Sequence, residues 1–437
     1  MNNWERKIKE RRLNLGILGL GYVGLPLVRA FADESLRVLG FDTDPGKVKA
    51  LNSGRSIIKH IPDSHIRKIV DEGRFEATCD MSRMKRTDAI VVCVPTPLTE
   101  NREPDMQYVI GSAQTIARYL QRGRLVVLES TTYPGTTREV VAPILELTGL
   151  RAGTDFHLAY SPEREDPGNK QFNTRTIPKV VGGLTSRCRE MACRLYETII
   201  VKTVPVSSLE AAEAAKILEN VYRCINIAMV NELKMVFDRM GIDVWEVVAA
   251  ASTKPFGFSA FYPGPGLGGH CIPIDPFYLT WKARQYGIAT RFIELAGEIN
   301  TNMPRYVVAK IMEALNAKKK SLKGSKVLVL GLAYKKDIDD LRESPSIELI
   351  ELLRDKGARV DYNDPYISKT HEQRRHNLGM QSRRLSGKML SSYDVVLIST
   401  DHSCYDYEWI VKNAGLVVDT RNATAAVTKY RHRIVKA

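Results

Sequence analysis

The fold of this chain is decided by residues 13–24, which read LNLGILGLGYVG. Leu13 to Leu18 has the continuous apolar character of a buried strand, and Leu25 to Ala32 predicts a helix. The Gly-x-Gly-x-x-Gly between them permits a tight turn, close approach of a pyrophosphate and close packing of the helix. The helix N-terminus attracts phosphate. We therefore predict a dinucleotide-binding α/β fold, with a glycine turn in another α/β protein as the alternative.

A carboxylate follows the second predicted strand, Arg37 to Phe41. Asp42 comes 18 residues after Gly24, about where an acid binds the adenosine ribose hydroxyls. It would repel a 2′-phosphate, which favours NAD over NADP, although Lys47 is a nearby cation. The cofactor residues predicted in this region are Gly19, Gly21, Tyr22, Val23, Gly24, Asp42 and Lys47.

Polar residues follow three further predicted strands. Ala89 to Val94 precedes Pro95-Thr96, Leu125 to Leu128 precedes Glu129-Ser130-Thr131, and His157 to Tyr160 precedes a charged loop at 161–168. Ligands of open α/β sheets bind beyond the carboxyl ends of the strands. We therefore expect Pro95, Thr96, Ser130 and Thr131 to face the cofactor or the substrate. A helix-capping role is the alternative for the hydroxyl residues.

Composition restricts the class of protein. A chain of 437 residues predicts two or three domains, and its net charge of +14 is spread without a Lys/Arg block, so phosphorylated small molecules fit as partners and we expect no nucleic acid. Seven cysteines without a Cys-x-x-Cys pair indicate a reducing, cytoplasmic setting. The histidines lack metal-ligand spacing, so no metal site is predicted. No segment reaches the ~18 to 20 apolar residues of a membrane span.

One long helix is predicted in the middle of the chain. Ser208 to Met240 contains neither glycine nor proline, and a capping box at Ser207 and Glu210 would begin the helix. A rod of about 50 Å would bridge two domains and could pair with a second copy of itself. Lys216 and Asn220 are four residues apart and share a face of it. The alternative for Lys216 is a solvated lysine.

The strand pattern returns in the last third of the chain. The predicted strands are Lys326 to Leu330, Ala358 to Tyr362, Asp394 to Ser399 and Leu416 to Asp419. This second parallel unit lacks Gly-x-Gly-x-x-Gly, so we expect a different nucleotide there, with Lys335, Lys336, Arg342 and Arg421 available for its phosphates.

The predicted fold class is α/β, with two Rossmann-like doubly wound domains joined by a long central helix. We place an NAD-binding domain at residues 1–206, a central helical domain at 207–316, and a C-terminal nucleotide-binding domain at 317–437.

Residues 263–275, PGPGLGGHCIPID, place a cysteine and a carboxylate four residues apart beside several glycines. We interpret Cys271 as a nucleophile that can attack an aldehyde carbon as a thiolate. If Cys271 opens a helical turn, Asp275 lies on the same face. An inert cysteine in a structural loop is the alternative.

The motifs together resemble the nucleotide-sugar dehydrogenases, the family of UDP-glucose 6-dehydrogenase, over essentially the whole chain. The segments that carry the resemblance are Gly19 to Gly24, Ser130-Thr131, Ser161-Pro162-Glu163, Lys216 with Asn220, Gly268 to Asp275, Lys335-Lys336-Asp337 and Arg342-Glu343-Ser344. The resemblance implies oxidation of a primary alcohol to a carboxylate with two NAD molecules, and a homodimer or higher homo-oligomer formed through the central helix.

The resemblance also implies roles for individual residues. The catalytic set is Cys271, Lys216, Asn220, Asp275, Thr131 and Glu163. The UDP-sugar set is Glu163, Arg164, Lys216, Asn220, Gly268, Tyr334, Lys335 and Arg421. Arg342 is expected near NAD, from this subunit or a neighbouring one.

Two loops look most like those of UDP-N-acetylglucosamine 6-dehydrogenases of surface-polysaccharide synthesis: Gly268 to Asp275 and Ser161 to Asn169. UDP-N-acetylmannosamine, UDP-N-acetylgalactosamine and UDP-glucose are the alternative substrates. Glucose-specific relatives carry a second glutamate where this chain has Pro167. They also supply an arginine from a partner subunit at the position of Pro255, and whether the adjacent Lys254 replaces it is left open. The motifs are also compatible with a two-electron hydroxyacid dehydrogenase, which needs no cysteine, and with a regulatory module that binds nucleotides without chemistry.

Overall fold

The computed structural model describes residues 3–58, 61–99, 101–164, 172, 174–269, 271–370 and 376–437. The part of the predicted charged loop from Glu165 to Asn169, including Pro167, lies outside the described residues, and so does His270.

The strands are named β1 to β13 in chain order. They are β1 Asn14–Leu18, β2 Arg37–Phe41, β3 Phe75–Thr78, β4 Ala89–Val92, β5 Leu125–Leu128, β6 His157–Tyr160, β7 Lys179–Gly183, β8 Thr203–Pro205, β9 Lys326–Leu330, β10 Arg359–Asn363, β11 Val395–Ile398, β12 Val417–Asp419 and β13 Ile434–Lys436.

The α-helices are named α1 to α14 in chain order. They are α1 Asn3–Lys9, α2 Gly24–Asp33, α3 Pro45–Asn52, α4 Asp63–Asp71, α5 Gln107–Ala117, α6 Ala142–Glu146, α7 Ser186–Tyr196, α8 Leu209–Met240, α9 Val244–Ala251, α10 Asp275–Arg284, α11 Arg291–Ala317, α12 Pro345–Asp355, α13 Gly387–Ser391 and α14 Tyr407–Asn413. Short 3₁₀-helices occur at Met81–Arg86 and Arg431–Arg433, and a short π-helix at Thr137–Val141 precedes α6.

The chain divides into two compact units. Unit 1 comprises Met1–Glu219 and Phe277–Ile288, and unit 2 comprises Asn220–Pro276 and Ala289–Ala437. The helices α8 and α10 each begin in one unit and end in the other.

Unit 1 contains a sheet with the strand order β3-β2-β1-β4-β5-β6-β7-β8. The strands are parallel except for the antiparallel pair β6 and β7. The order 3-2-1-4-5-6 is that of the Rossmann fold, which reverses direction between β1 and β4. Because β1, β4 and β5 are covered on both faces, their residues are almost all buried, and this explains the continuous apolar runs in the sequence.

The glycine turn between β1 and α2 leaves little room. A Cβ on Gly24 would lie 1.8 Å from the carbonyl oxygen of Gly19, so α2 can begin this close to β1 only with glycine at that position. Gly19 itself has φ +95° and lies against the backbone of Cys93, which follows β4. A Cβ on Gly21 would have nothing within 4 Å. The three glycines therefore differ in role as the sequence pattern predicts.

Unit 2 contains a parallel sheet with the strand order β10-β9-β11-β12-β13. Numbered within the unit this is 2-1-3-4-5, the second common doubly wound order, with its switch point between β9 and β11. Buried residues of β9, β11 and β12 pack with α11 and α12 to form its core. The prediction of an α/β protein with two Rossmann-like doubly wound domains joined by a long helix is confirmed.

The long helix begins one residue later than the sequence predicts. Ser208, rather than Ser207, caps α8, because its Oγ accepts a hydrogen bond from the N–H of Ala211 at 3.1 Å. The carboxylate of Glu210 pairs with Arg138 at 2.5 Å. The predicted capping box at Ser207 is therefore wrong in its register. Glu213, on the next turn, accepts hydrogen bonds from the N–H groups of Gly135 and Thr137.

Most of the shorter helices were not identified from the sequence, and neither were β3, β7, β8, β13 and the 27-residue helix α11. The three-residue strands β8 and β13 are too short to show a period. In α11, Gly297 and Pro304 interrupt the helical pattern, yet both are buried within the helix. Of the helices in the described part of the chain, none has the length and apolar character needed to cross a bilayer.

The close contact between Gly24 and Gly19 predicts that a side chain at position 24 lowers the stability of the protein. Gly24→Ala should lower the free energy of unfolding by roughly 1–3 kcal/mol, because the added methyl must push α2 away from Gly19. Gly21→Ala, where the methyl enters open space, should change it by less than about 0.5 kcal/mol. Urea denaturation of both variants beside the wild type measures the difference. Equal stability of the two variants would show that the turn can widen at no cost.

Candidate active site

In unit 1, Asp42 supports the glycine turn. One of its carboxylate oxygens accepts a hydrogen bond from the N–H of Leu20 at 3.0 Å, and the other accepts from the N–H of Asp44 at 3.0 Å. The Nζ atom of Lys47 lies 3.5 Å from the same carboxylate. The residues predicted from the spacing of the motif therefore lie together, and Asp42 fixes the turn through a buried hydrogen bond.

The loops after β4 and β5 are tied to each other. The Oγ atom of Ser130 accepts from the N–H of Val94 at 2.9 Å and lies 2.8 Å from the Val94 carbonyl oxygen. The hydroxyl of Tyr278 in α10 donates to the carbonyl of Thr96 at 2.6 Å. Ser130 and Thr96 are buried, whereas Pro95 is exposed and Thr131 half-buried. Sequence reasoning missed the contribution of Tyr278.

The residues around the glycine turn fit a dinucleotide. No protein atom lies within 4 Å of the position that a Cβ on Gly21 would take, so a ligand can approach the backbone there. Helix α2 begins three residues later, at Gly24. A pyrophosphate is favoured at such a helix end. Tyr22 and Val23 belong to this turn, and Asp42 reaches its other side.

A second group in unit 1 holds the loop after β6 against α8. The Nζ atom of Lys216, 6% exposed, donates to the carbonyl oxygen of Glu163 at 2.5 Å. Arg164 forms an ion pair with Glu219, one helical turn after Lys216, at 2.7 Å, and donates to the carbonyl of Pro178. Both predicted loop residues, Glu163 and Arg164, thus contact side chains of α8. The contribution of Glu219 was not predicted from the sequence.

A buried ion pair lies beneath this loop. Lys179, the first residue of β7, places its Nζ 3.0 Å from a carboxylate oxygen of Glu129, which follows β5. The hydroxyl of Tyr196 donates to the other oxygen of Glu129. Sequence reasoning placed Glu129 only in a loop and missed its partners. The available signal was a carboxylate directly after a fully apolar strand.

In unit 2, Cys271 and Asp275 form one helical turn. The carbonyl oxygen of Cys271 accepts from the N–H of Asp275 at 2.8 Å, and α10 begins at Asp275. Cys271 is partly exposed, whereas Asp275 is 1% exposed. The i, i+4 relation expected from the sequence is therefore present.

Asn220 links Asp275 to α8. Its side-chain amide donates to a carboxylate oxygen of Asp275 at 2.6 Å, and both residues are buried. The guanidinium of Arg223 donates to the amide oxygen of Asn220 at 2.7 Å, which fixes the orientation of the amide. Arg223 was not identified from the sequence. A buried carboxylate with such a donor retains the ability to accept further hydrogen bonds, including one from water.

The glycines before Cys271 make room for the C-terminal fold. A Cβ on Gly268 would lie 2.5 Å from the Cβ of Tyr334, and one on Gly264 would lie 2.5 Å from the guanidinium of Arg421. The N–H of Gly269 donates to the carbonyl of Arg342 at 3.0 Å. In unit 2 the cysteine loop is thus in contact with three of the residues predicted to bind nucleotide.

The remaining predicted residues have defined surroundings. Arg342 forms a bidentate pair with Asp340, with its closest contact at 2.6 Å, while Lys335 is half-buried beside Tyr334. Arg421 donates to the carbonyl of Ser399, which follows β11 at the switch point of the second sheet. The exposed Lys254 lies over the ring of Phe256, 5.1 Å from its centroid.

Comparison with known proteins agrees with this arrangement. Three domains of the UDP-glucose/GDP-mannose dehydrogenase family match consecutive parts of the chain: the NAD binding domain matches residues 13–200, the central domain 210–302 and the UDP binding domain 328–426. Together the matches span most of the chain, and they assign the first sheet to NAD and the second to UDP.

Curated relatives cover nearly the same length. Protein CapL of Staphylococcus aureus is 36% identical over 93% of this chain and 95% of its own. A UDP-N-acetyl-D-glucosamine 6-dehydrogenase of Pseudomonas aeruginosa is 35% identical, covering 90% of this chain and 91% of its own. The solved structure of a UDP-D-ManNAc dehydrogenase from Pyrococcus horikoshii is 31% identical, has a TM-score of 0.86, and covers 97% of this chain and 99% of that chain.

The two nucleotide-binding domains lie within the matched ranges, and the cysteine turn at 271–275 lies within the range matched by the central domain. The predicted enzyme class, NAD cofactor and UDP-sugar substrate class are confirmed. This chain belongs to the UDP-glucose/GDP-mannose dehydrogenase family and is an NAD-dependent UDP-sugar dehydrogenase.

Proposed function

We propose that this enzyme oxidises the C6 alcohol of UDP-N-acetylglucosamine to the carboxylate, as a step in making precursors of a surface polysaccharide in the cytoplasm. The loop sequences at Gly268 to Asp275 and around Glu163 support the substrate. So does the 35% identity to the P. aeruginosa enzyme named for that sugar. The observation that carries the chemistry is the helical turn in which Asn220 holds the buried Asp275 four residues after Cys271.

Conversion of an alcohol to a carboxylate removes four electrons from C6. NAD, when bound, accepts one hydride, so two molecules are consumed for each sugar. The chain must therefore retain the half-oxidised aldehyde while the first reduced cofactor is exchanged for a second oxidised one. A covalent bond to the protein is the most secure way to retain it.

Cys271 supplies that bond in our proposal. Its sulfur adds to the aldehyde carbon and gives a thiohemiacetal. The thiohemiacetal would then lose its hydroxyl proton to solvent and its hydride from C6 to the second NAD, which gives a thioester. Water attacks the thioester carbon, the carbon–sulfur bond breaks, and the products are the sugar carboxylate and the free thiol. Asp275, which Asn220 orients, accepts a proton from this water.

Lys216 acts on the oxygen of C6. Its ammonium has three N–H donors, one of which is given to the carbonyl of Glu163, and another stabilises the developing oxyanion with help from Asn220. Removal of one such donor typically costs about 10² to 10³ in rate. Thr131 and the Glu163 side chain complete the proton network, and Arg164 holds the Glu163 loop on α8.

The UDP part of the substrate is assigned to unit 2. Arg421 and Lys335 supply positive charge for the nucleotide, Tyr334 and Gly268 provide contacts with the UDP-sugar, and Arg342 is assigned to the cofactor. The proposed domain limits are 1–206, 207–316 and 317–437. Lys254 is proposed to replace the arginine that glucose-specific relatives use.

UDP-N-acetylmannosamine is the second candidate substrate. The P. horikoshii structure named for that sugar has a TM-score of 0.86 over nearly the whole chain, and its identity is close to that of the N-acetylglucosamine relative. UDP-N-acetylgalactosamine and UDP-glucose follow. A regulatory module without chemistry is not supported, since it would need neither the cysteine turn nor the buried Lys216.

The assembly is proposed to be a homodimer formed through α8. Exposed apolar residues of this helix recur at helical spacing and include Tyr222, Met229, Leu233, Val236 and Met240. Their exposed fractions run from 36% to 62%, which is unusual for large apolar side chains on one stripe of a helix. A second copy of the same face would cover them.

The dimer proposal predicts that two glutamates placed on this stripe, in the double variant Met229→Glu/Val236→Glu, will halve the molar mass measured by light scattering, because burying unpaired carboxylates is costly. A matched control places glutamates at two exposed apolar residues of unit 1, Leu147 and Val201, and should leave the mass unchanged. A monomeric wild type at micromolar concentration would contradict the proposal.

The substrate proposal predicts faster NADH formation with UDP-N-acetylglucosamine than with the mannosamine, galactosamine or glucose analogues. The yield should be two NADH for each sugar converted, with the carboxylate identified by mass spectrometry. A larger kcat/KM with UDP-glucose would overturn the substrate. One NADH per sugar would overturn the covalent route and favour two-electron chemistry.

Replacement of Cys271 by alanine should reduce formation of the sugar acid by roughly 10³-fold or more, because the aldehyde is no longer trapped. NAD binding, followed by fluorescence titration, should be unchanged, since the glycine turn and Asp42 lie in unit 1. The exposed Cys79 replaced by alanine is the control and should keep full activity. Full activity of Cys271→Ala would mean that the sulfur takes no part.

A further inference from the structure

Three polar residues of unit 1 are buried together beneath the loop that carries Glu163. Glu129 is 1% exposed, Lys179 5% and Tyr196 0%. Lys179 Nζ lies 3.0 Å from Glu129 and 4.8 Å from the centroid of the Tyr196 ring, and the Tyr196 hydroxyl donates to Glu129. The three residues come from the end of β5, the start of β7 and the end of α7, so the fold brings them together from distant parts of the chain.

Stability alone gives a weak reason for this cluster. Removing two charges from water is costly, and a buried ion pair can often be replaced by apolar residues of similar size without loss of stability. Burial raises the pKa of Glu129, opposed by the Lys179 charge, and it raises the pKa of Tyr196 well above its usual range. Tyr196 therefore stays a phenol and donates its proton to the carboxylate.

The cluster holds the backbone at Pro162. Lys179 Nζ also lies 3.4 Å from the carbonyl oxygen of Pro162. The preceding residue, Ser161, is fixed on both sides, because its N–H donates to Leu128 of β5 and its hydroxyl donates to Val180 of β7. The loop thus leaves the sheet in a direction set by β5, β7 and the ammonium of Lys179.

The next carbonyl along the chain is that of Glu163, and it accepts from Lys216. Two consecutive carbonyls are therefore each held by a buried lysine: Pro162 by Lys179 and Glu163 by Lys216. Successive peptide groups are rigid planes joined at one Cα, so a rotation at Pro162 moves the oxygen to which Lys216 donates. The direction of the Lys216 ammonium depends on that oxygen.

We infer that Lys179, held by Glu129 and Tyr196, is a positioning residue for the oxidation: it fixes the Pro162 carbonyl and thereby aims the Lys216 ammonium through the carbonyl of Glu163. The inference rests on the proposed role of Lys216. Nothing in the cluster touches the substrate in this scheme, so its effect is expected in kcat rather than in the affinity for NAD.

Variants of Lys179 and Glu129 distinguish an effect on the position of the Lys216 ammonium from an effect on the stability of the fold. Lys179→Met leaves Glu129 buried without its cation, so both the melting temperature and kcat should fall, kcat by about 10- to 100-fold. Lys179→Met combined with Glu129→Gln removes both charges, so the melting temperature should recover while kcat stays low. Lys179→Arg, which can donate to both Glu129 and Pro162, should recover most of kcat. The KM for NAD should remain within about twofold of the wild type throughout.

A buried lysine away from the loop provides the matched control. Lys234 is 4% exposed and pairs with Asp238 in unit 2. Lys234→Met should lower the melting temperature without changing kcat per folded enzyme. The kcat of each variant relative to the wild type is measured with whichever UDP-sugar the wild type oxidises fastest. The test therefore does not depend on the proposed substrate. Recovery of full kcat together with stability in the double variant would overturn the inference, as would an unchanged kcat in Lys179→Met.

Discussion

The continuous backbone of α8 is the constraint on which the arrangement of functional residues depends. Residues three and four apart on a helix lie on one face, so Glu213, Lys216 and Asn220 form a stripe along the rod. In unit 1, Glu213 binds the backbone after β5 and Lys216 the backbone after β6. In unit 2, Asn220 binds Asp275. A kink from proline or glycine within this segment would break the period that places these three side chains.

The turn after the first strand is built in a similar way in both sheets. Gly19 and Gly331 both have positive φ directly after the first strand of their sheets. Asp42 accepts from the N–H of Leu20, and Asp364, after the second strand of the other sheet, accepts from those of Leu332 and Ala333. An acid that closes the turn is thus common to both, whereas the glycines that leave room for a pyrophosphate occur only in the first. This difference matches the assignment of NAD to one sheet and UDP to the other.

The residues with proposed catalytic or positioning roles include several buried charged groups. Lys216, Asp275, Glu129 and Lys179 are all nearly inaccessible, and each has a hydrogen-bonding partner at 3.0 Å or less. Such groups cost desolvation free energy unless they are paired, and the pairing also restricts their orientation. In the proposed mechanism these are positions where the direction of an N–H bond or of a carboxylate oxygen matters.

The sequence by itself determined the elements whose signal is local. The apolar runs of β1, β4, β5 and β9, the glycine turn with Asp42, the length of α8 and the four-residue spacing of Cys271 and Asp275 all follow from neighbouring residues. The three-residue strands β8 and β13 did not, because they carry too few residues to show a period. Helix α11 did not, because its buried Gly297 and Pro304 read as breaks.

Only the tertiary structure decided which buried groups meet. Glu129 and Lys179 are 50 residues apart in the chain. Their pairing exists because β5 and β7 flank β6 in one sheet. The hydrogen bond from Asn220 to Asp275 and the contact of Gly268 with Tyr334 have the same origin. A hydrogen bond between distant residues depends on strand order and helix packing, and these are properties of the whole fold that no local pattern of residue types contains.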